Sequence, residues 1–164
     1  MQLNKKIILR QDACEIVRLQ QSQGKRVVFT NGCFDILHRG HIELLSFARQ
    51  LGDLLVVGLN SDDSVRRLKG PRRPLNCQED RAVLLAALEM VDYVVLFEED
   101  TPLELIQQLL PDVLVKGGDY RVEEIVGREI VEQNGGKVVV FPLLKGFSTT
   151  AFIEQIQRDY EKKV

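Results

Sequence analysis

Cysteine is scarce: Cys14, Cys33 and Cys77 are the only three, with no CxxC spacing. That excludes a disulfide framework and reads as reduced thiols in a cytoplasmic setting. Long hydrophobic runs are missing as well. Near the N-terminus only Ile7–Leu9 is unbroken apolar sequence, too short for a secretory signal. The longest runs elsewhere, near Leu54–Leu59 and Val138–Leu144, fall far short of the ~20 residues that span a bilayer. Neither sign of charge dominates, because 22 Lys and Arg against 24 Asp and Glu leave a net charge of −2. A protein that coats nucleic acid needs a basic face. Neither nucleic acid nor membrane is therefore an expected partner. Two phosphate-binding signatures are also absent. No GxGxxG follows the first strand-like run, and no GxxxxGK[ST] occurs, which excludes a dinucleotide fingerprint and a P-loop kinase.

What is present fits one globular domain over residues 1–164, since 45% of residues are hydrophobic and 28% charged. Five runs, Arg26–Thr30, Leu54–Leu59, Tyr93–Phe97, Val113–Val115 and Val138–Leu143, are nearly continuous in apolar character, as strands buried on both faces of a parallel sheet are. Helical patterns separate them. One N-terminal helix is predicted near Asp12–Gln23 (about residues 11–24), ahead of a core of about residues 26–158. Leu44, Leu45, Ala48 and Leu51 share a face over Ile42–Leu51. Asn76–Glu79 and Thr101–Glu104 read as capping boxes that open helices to about Val91 and Leu110, the second with Pro102 at the first helical position. Two more helices are predicted near Val122–Asn134 and Thr149–Lys162. This alternation predicts an α/β fold, a doubly wound five-stranded parallel sheet.

Ligands of such sheets bind outside the carboxyl ends of the strands, at the switch in strand order. The first strand is followed by Asn31-Gly32-Cys33-Phe34-Asp35-Ile36-Leu37-His38-Arg39-Gly40-His41. His38 and His41 are the only histidines. Their spacing puts both on one face of a first helical turn, and Gly40 leaves room for a ligand at the backbone. Helix-start N–H groups favour an anion, and two imidazoles there can bind phosphate oxygens and stabilise developing charge. The plainer alternative is two surface histidines capping a helix. No third ligand at a recognisable spacing supports a metal site. Ser148-Thr149-Thr150 precedes the last helix; one hydroxyl is explained as an N-cap, and three suggest a second phosphate cradle. Five of the nine residues in Arg66–Pro74 are basic. That stretch is either a solvated loop or a lid whose lysine neutralises a triphosphate.

His38-Arg39-Gly40-His41 after a first strand, with Ser148-Thr149-Thr150 before a late helix, resembles the HxGH nucleotidyltransferase superfamily and its Rossmann-like fold. The run Thr30–His38 narrows the likeness to its cytidylyltransferase-like branch. Asn60-Ser61-Asp62, Arg67-Leu68-Lys69-Gly70, Arg73-Pro74, Glu99-Asp100-Thr101-Pro102 and Val115–Tyr120 resemble the adenylyltransferase domain that makes ADP-heptose from D-glycero-D-manno-heptose 1-phosphate and ATP. The likeness covers about Val27–Ile156. It implies in-line nucleotidyl transfer with Mg²⁺, in which the acceptor's phosphate oxygen attacks the α-phosphorus and pyrophosphate leaves. His38, His41 and Lys69 would be catalytic. Asn31, Gly32, Cys33, Phe34, Gly40, Gly118, Asp119, Ser148, Thr149 and Thr150 would bind nucleotide. Asp35, Asn60 and Arg73 would contact the acceptor or orient other groups.

Bifunctional relatives carry a sugar kinase domain in front, so a stand-alone transferase is the expectation here, and relatives imply a homodimer. Cytidylyltransferases for glycerol 3-phosphate often place an arginine before their late serine-threonine motif. Leu143-Leu144-Lys145-Gly146-Phe147 lacks it, which favours ATP over CTP. Two alternatives stay open: a cytidylyltransferase for a small alcohol phosphate, and a non-catalytic nucleotide-binding module on the same fold.

Overall fold

Valine, leucine and isoleucine supply the strands, and their side chains alternate between two apolar faces. The computed structural model describes residues 5–118, 120–142 and 149–161, the last segment without the side chains of residues 150, 151, 160 and 161. Six strands pair in parallel: β1 (Ile7–Ile8), β2 (Val27–Gly32), β3 (Leu54–Asn60), β4 (Tyr93–Phe97), β5 (Val113–Gly117) and β6 (Lys137–Phe141), in the order β1-β4-β3-β2-β5-β6. Val27, Phe29, Val56, Val95 and Leu114 face one side. There they meet α1 (Arg10–Ser22), α5 (Leu103–Leu109) and α6 (Arg128–Gln133). Val28, Leu55, Val57, Val94, Val113 and Val115 face the other, against α2 (Arg39–Arg49) and α4 (Gln78–Ala86). Burying a Val or Leu of these rows contributes about 1.5–3 kcal/mol, so neither face tolerates a polar row. Two further helices complete the chain, α3 (Asp62–Lys69) and α7 (Thr149–Glu161).

The sheet has six strands, not the five predicted. The additional one, β1, is two residues long and pairs as Ile7↔Val94 and Ile8↔Val95. Lys6 secures it by donating from Nζ to the carbonyls of Leu88 (3.1 Å) and Val91 (2.7 Å). A strand this short has no period of its own, and its partner lies far along the chain.

Local boundaries differ for identifiable reasons. Helix α2 starts at Arg39, ahead of the point where its apolar stripe becomes legible. The capping boxes do not form. Helices α4 and α5 start from Cys77 and Pro102, neither with a side-chain cap, and Asn76 instead donates to the carbonyl of Asp35. The helix predicted near Val122–Asn134 divides into a 3-10 turn at Val122–Glu124 and α6. Gly127 separates them at φ +86°, where a Cβ would lie 2.6 Å from Ile106 Cδ1. Helix α3 occupies the first half of the basic stretch read as a loop, capped by Ser61, whose Oγ accepts from Ser64 N.

After β2 the chain adds β3 and β4 on one side, then crosses over to place β5 on the other. The switch point therefore lies between β2 and β5.

Candidate active site

A cleft of about 590 Å³ opens at the carboxyl ends of β2 and β5, within the size range of small-molecule sites. It is lined by Asn31, Gly32, Cys33, Phe34, Asp35, His38, Gly40, His41, Asn60, Lys69, Arg73 and Thr149 among others. Gly118 is not among its lining residues. Asp119 and Ser148 fall outside the described residues, as does the Leu143–Phe147 approach, and only the backbone of Thr150 is described.

Below the histidines the loop after β2 is tightly built. Phe34 adopts φ +45°, rare for a bulky residue, and is buried. Its ring lies beneath Gly32, where a Cβ would come within 3.1 Å of Phe34 Cε2, and meets His41 edge-on at 5.0 Å. His38 is the N-cap residue of α2 but makes no side-chain cap hydrogen bond, which removes the plain capping explanation for it. The His38 and His41 rings stack with centroids 3.7 Å apart and planes 16° from parallel.

Burial lowers the pKa of both imidazoles. That of His41 falls to about 4, and the neighbouring His38 adds to the effect. Burial and the closeness of the two rings both favour the uncharged imidazoles, because a cation stacked on a cation in a half-buried site is doubly unfavourable. His41 Nδ1 is buried without a hydrogen-bond partner among the described residues. An arriving polyanion would reverse this balance by favouring the charged forms.

Asp35 is buried, but its carboxylate takes Arg73 Nε at 2.6 Å and the N–H groups of Leu75 (2.7 Å) and Asn76 (3.0 Å). These bonds make it an anchor of the α3–α4 connection. Asn60 is similarly engaged, donating to Ser64 Oγ at 2.9 Å. Of the five basic residues in 66–74, Arg66, Arg67 and Arg73 are paired with Asp63, Asp100 and Asp35. Lys69 ends α3 on the cleft with no ion pair among the described residues. Gly118 adopts φ +146°, where a Cβ would come within 2.5 Å of Tyr120 Cε2. It thereby lets the chain fold Tyr120 back over the site.

Two residues of consequence were not among the sequence candidates. Arg81 is wholly buried. It donates to the carbonyls of Asn76 (3.0 Å), Cys33 (2.6 Å) and Asn60 (2.9 Å), and to Asp62 Oδ1 (2.7 Å). One guanidinium thus joins the ends of β2 and β3, the start of α3 and the loop before α4. Nothing in Gln78–Ala86 distinguishes it from a solvent-facing charge. Lys116 on β5 also lines the cleft. Its signal was legible: a lysine interrupting an apolar strand next to the switch point. The pKa of the Cys33 thiol is pushed up by burial, which disfavours its thiolate form. Among the described residues no group of three or more His, Cys, Asp or Glu side chains could hold a metal ion, and no helix is long and apolar enough to cross a membrane.

A doubly wound sheet with two stacked histidines and a lysine at its switch point is the arrangement expected of a nucleotidyltransferase. A family model described as cytidylyltransferase-like matches residues 29–159, and the chain belongs to that family. Bifunctional protein HldE from Syntrophotalea carbinolica is 56% identical over 162 residues, covering 99% of this chain and 33% of the relative. The protein of the same name from Geobacter sulfurreducens is 60% identical over 145 residues, covering 88% of this chain and 30% of the relative. The chain thus spans about a third of the length of these curated relatives. The crystal structure of a lipopolysaccharide core biosynthesis protein from Thermoplasma volcanium superposes with a TM-score of 0.61 at 31% identity, covering 76% of this chain and all of that one. Pantoate-beta-alanine ligase from Francisella tularensis shares the fold at 17% identity and a TM-score of 0.58, over 94% of this chain and 78% of that one.

Proposed function

We propose that this chain transfers an adenylyl group from ATP to D-glycero-D-manno-heptose 1-phosphate, forming ADP-heptose and pyrophosphate. The observation that carries the reading is the identity of 56–60% to bifunctional HldE proteins across 88–99% of the chain. It is strengthened by a site that offers hydrogen-bond donors and cationic side chains to phosphates.

In this reading an oxygen of the sugar phosphate attacks the α-phosphorus of ATP. The P–O bond to the β-phosphate breaks, and pyrophosphate departs with the electron pair. His38 and His41 hold the phosphates across the reacting centre, where donors fixed before reaction stabilise the added negative charge. Lys69 neutralises the departing pyrophosphate from the end of α3, and Thr149, at the start of α7, binds phosphate, a role shared by Ser148 and Thr150. Backbone groups of Asn31, Gly32, Cys33 and Phe34, with Gly40, line the nucleotide, and Gly118 and Asp119 serve its base or ribose. Arg73, Asn60 and Asp35 orient the loops on the β3 side of the cleft. Mg²⁺ would come with ATP and supply charge neutralisation on its phosphates, since no group of three or more His, Cys, Asp or Glu among the described residues could hold it. The unbridged state of all three cysteines accords with a cytoplasmic reaction. A homodimer is consistent with the exposed Leu75, Val83 and Leu84 at and before α4.

The test is pyrophosphate release with each of ATP, CTP, GTP and UTP, with β-D-glycero-D-manno-heptose 1-phosphate as acceptor. Release with ATP alone is expected. Release only with CTP and an alcohol phosphate would replace the reading, and saturable ATP binding without turnover of any acceptor would reduce the chain to a binding module.

A further inference from the structure

Three cationic side chains line the cleft: Lys69, Arg73 and Lys116. Arg73 is neutralised by Asp35 at 2.6 Å, and Lys69 reaches in from the β3 side of β2, at the end of α3. Lys116 stands on the opposite side, at the carboxyl end of β5. Its Nζ donates to Asn31 Oδ1 at 3.2 Å and lies 5.9 Å from the centre of the Tyr120 ring. It makes no ion pair with a carboxylate among the described residues. Burial holds its pKa below the ordinary lysine value, and Lys69 pushes in the same direction. An ammonium half out of water, facing a second cation, gains most from an anion.

In-line transfer supplies two anions that repel each other, the triphosphate and the attacking phosphate, and both must be held within bonding reach. The two unpaired lysines flank β2, one for each. We propose that Lys116 binds the phosphate of the acceptor, with the ring of Tyr120 forming the adjacent wall for the sugar. Asn31 aims the ammonium through its side-chain oxygen, and the half-exposed face of Tyr120 suits the C–H face of a pyranose. The assignment rests on the adenylyl transfer proposed above.

The test is a split of kinetic constants in Lys116→Gln and Lys116→Arg, with unfolding curves to confirm that both fold. Loss of a hydrogen bond to a charged group corresponds to roughly tenfold to hundredfold weaker binding. The Gln variant should raise KM for heptose 1-phosphate by at least that lower figure, leave KM for ATP within about threefold, and be partly rescued by Arg. A rise confined to ATP would assign Lys116 to the triphosphate, and unchanged constants would make it a structural partner of Asn31; either overturns the proposal. Inorganic phosphate, titrated by ³¹P NMR into protein saturated with a non-hydrolysable ATP analogue, separates this outcome from failure of the functional reading. The wild type should hold phosphate and Lys116→Gln should lose it even if another sugar phosphate is the true acceptor. Equal retention by both proteins overturns the proposal.

Discussion

Replacing Arg81 with Met preserves most of the apolar stem and removes the guanidinium. The change leaves the carbonyls of Cys33, Asn60 and Asn76 without their donor and Asp62 without its ion pair. Asp62 is 22% exposed on its side chain, so water recovers part of its loss. The Asn60 carbonyl, on a buried residue, has less access to water. An unsatisfied buried acceptor costs about 1–3 kcal/mol, and breaking a buried charge pair costs roughly 3–5 kcal/mol. Since the groups share one centre these costs do not add, and a loss of about 3–5 kcal/mol is expected. With a urea m-value of roughly 1–3 kcal/mol/M, the midpoint falls by more than about 1 M. Arg81→Lys, which keeps the charge but not the planar fork, should recover less than half of the loss. Turnover should fall in both, because the loops bearing His38, His41 and Lys69 are joined through this one side chain. A midpoint within about 0.3 M of wild type (~0.3–0.9 kcal/mol at that m-value) with full activity would refute the claim that Arg81 holds the strand ends together.

His41→Ala should lower kcat by at least ~100-fold, the scale for losing a preorganised charge stabiliser, while ATP affinity measured by calorimetry changes far less. Near-normal turnover would remove the histidine pair from the mechanism. Lys69→Ala should lower the rate with wild-type stability, since residue 69 is exposed and unpaired among the described residues; an unaltered rate and ATP affinity would leave it a surface lysine. Histidine NMR in the free protein should find His41 titrating near 4 and moving upward with Mg²⁺-ATP. Because its folded pKa lies below the ordinary 6.5, the unfolded chain binds the extra proton between these values. This contribution to stability is therefore complete above about pH 6.5 and is lost as pH falls toward 4. Gly127→Ala should destabilise by about 1–3 kcal/mol in thermal or urea unfolding, from the strained φ and the 2.6 Å approach to Ile106 Cδ1; a neutral result would mean that the 125–128 connection readjusts freely.

Composition and local order carried a large share of this protein's description. The continuous valine and leucine runs that become β3 and β4 have no stable place except a sheet covered on both faces, so a doubly wound α/β fold follows from them. The paired histidines after the first such run also follow a local rule, because a helix start at a strand end is an anion site wherever it occurs. Other features depend on partners far apart in the chain. Strand β1 exists only because Ile7 and Ile8 meet Val94 and Val95. The α4 N-terminus is set by Asn76 turning to Asp35 instead of capping its helix. Arg81 and Glu79 are both charged residues of one short helix, and only the fold decides that the first is buried among three carbonyls while the second meets solvent. Lys69 and Lys116, distant in sequence, face one cleft because strand order places β3 and β5 on either side of β2. Periodicity reports how a residue relates to its own helix or strand. Which charge is buried, which is paired and which faces a ligand depends on long-range packing, and only the tertiary structure decides that.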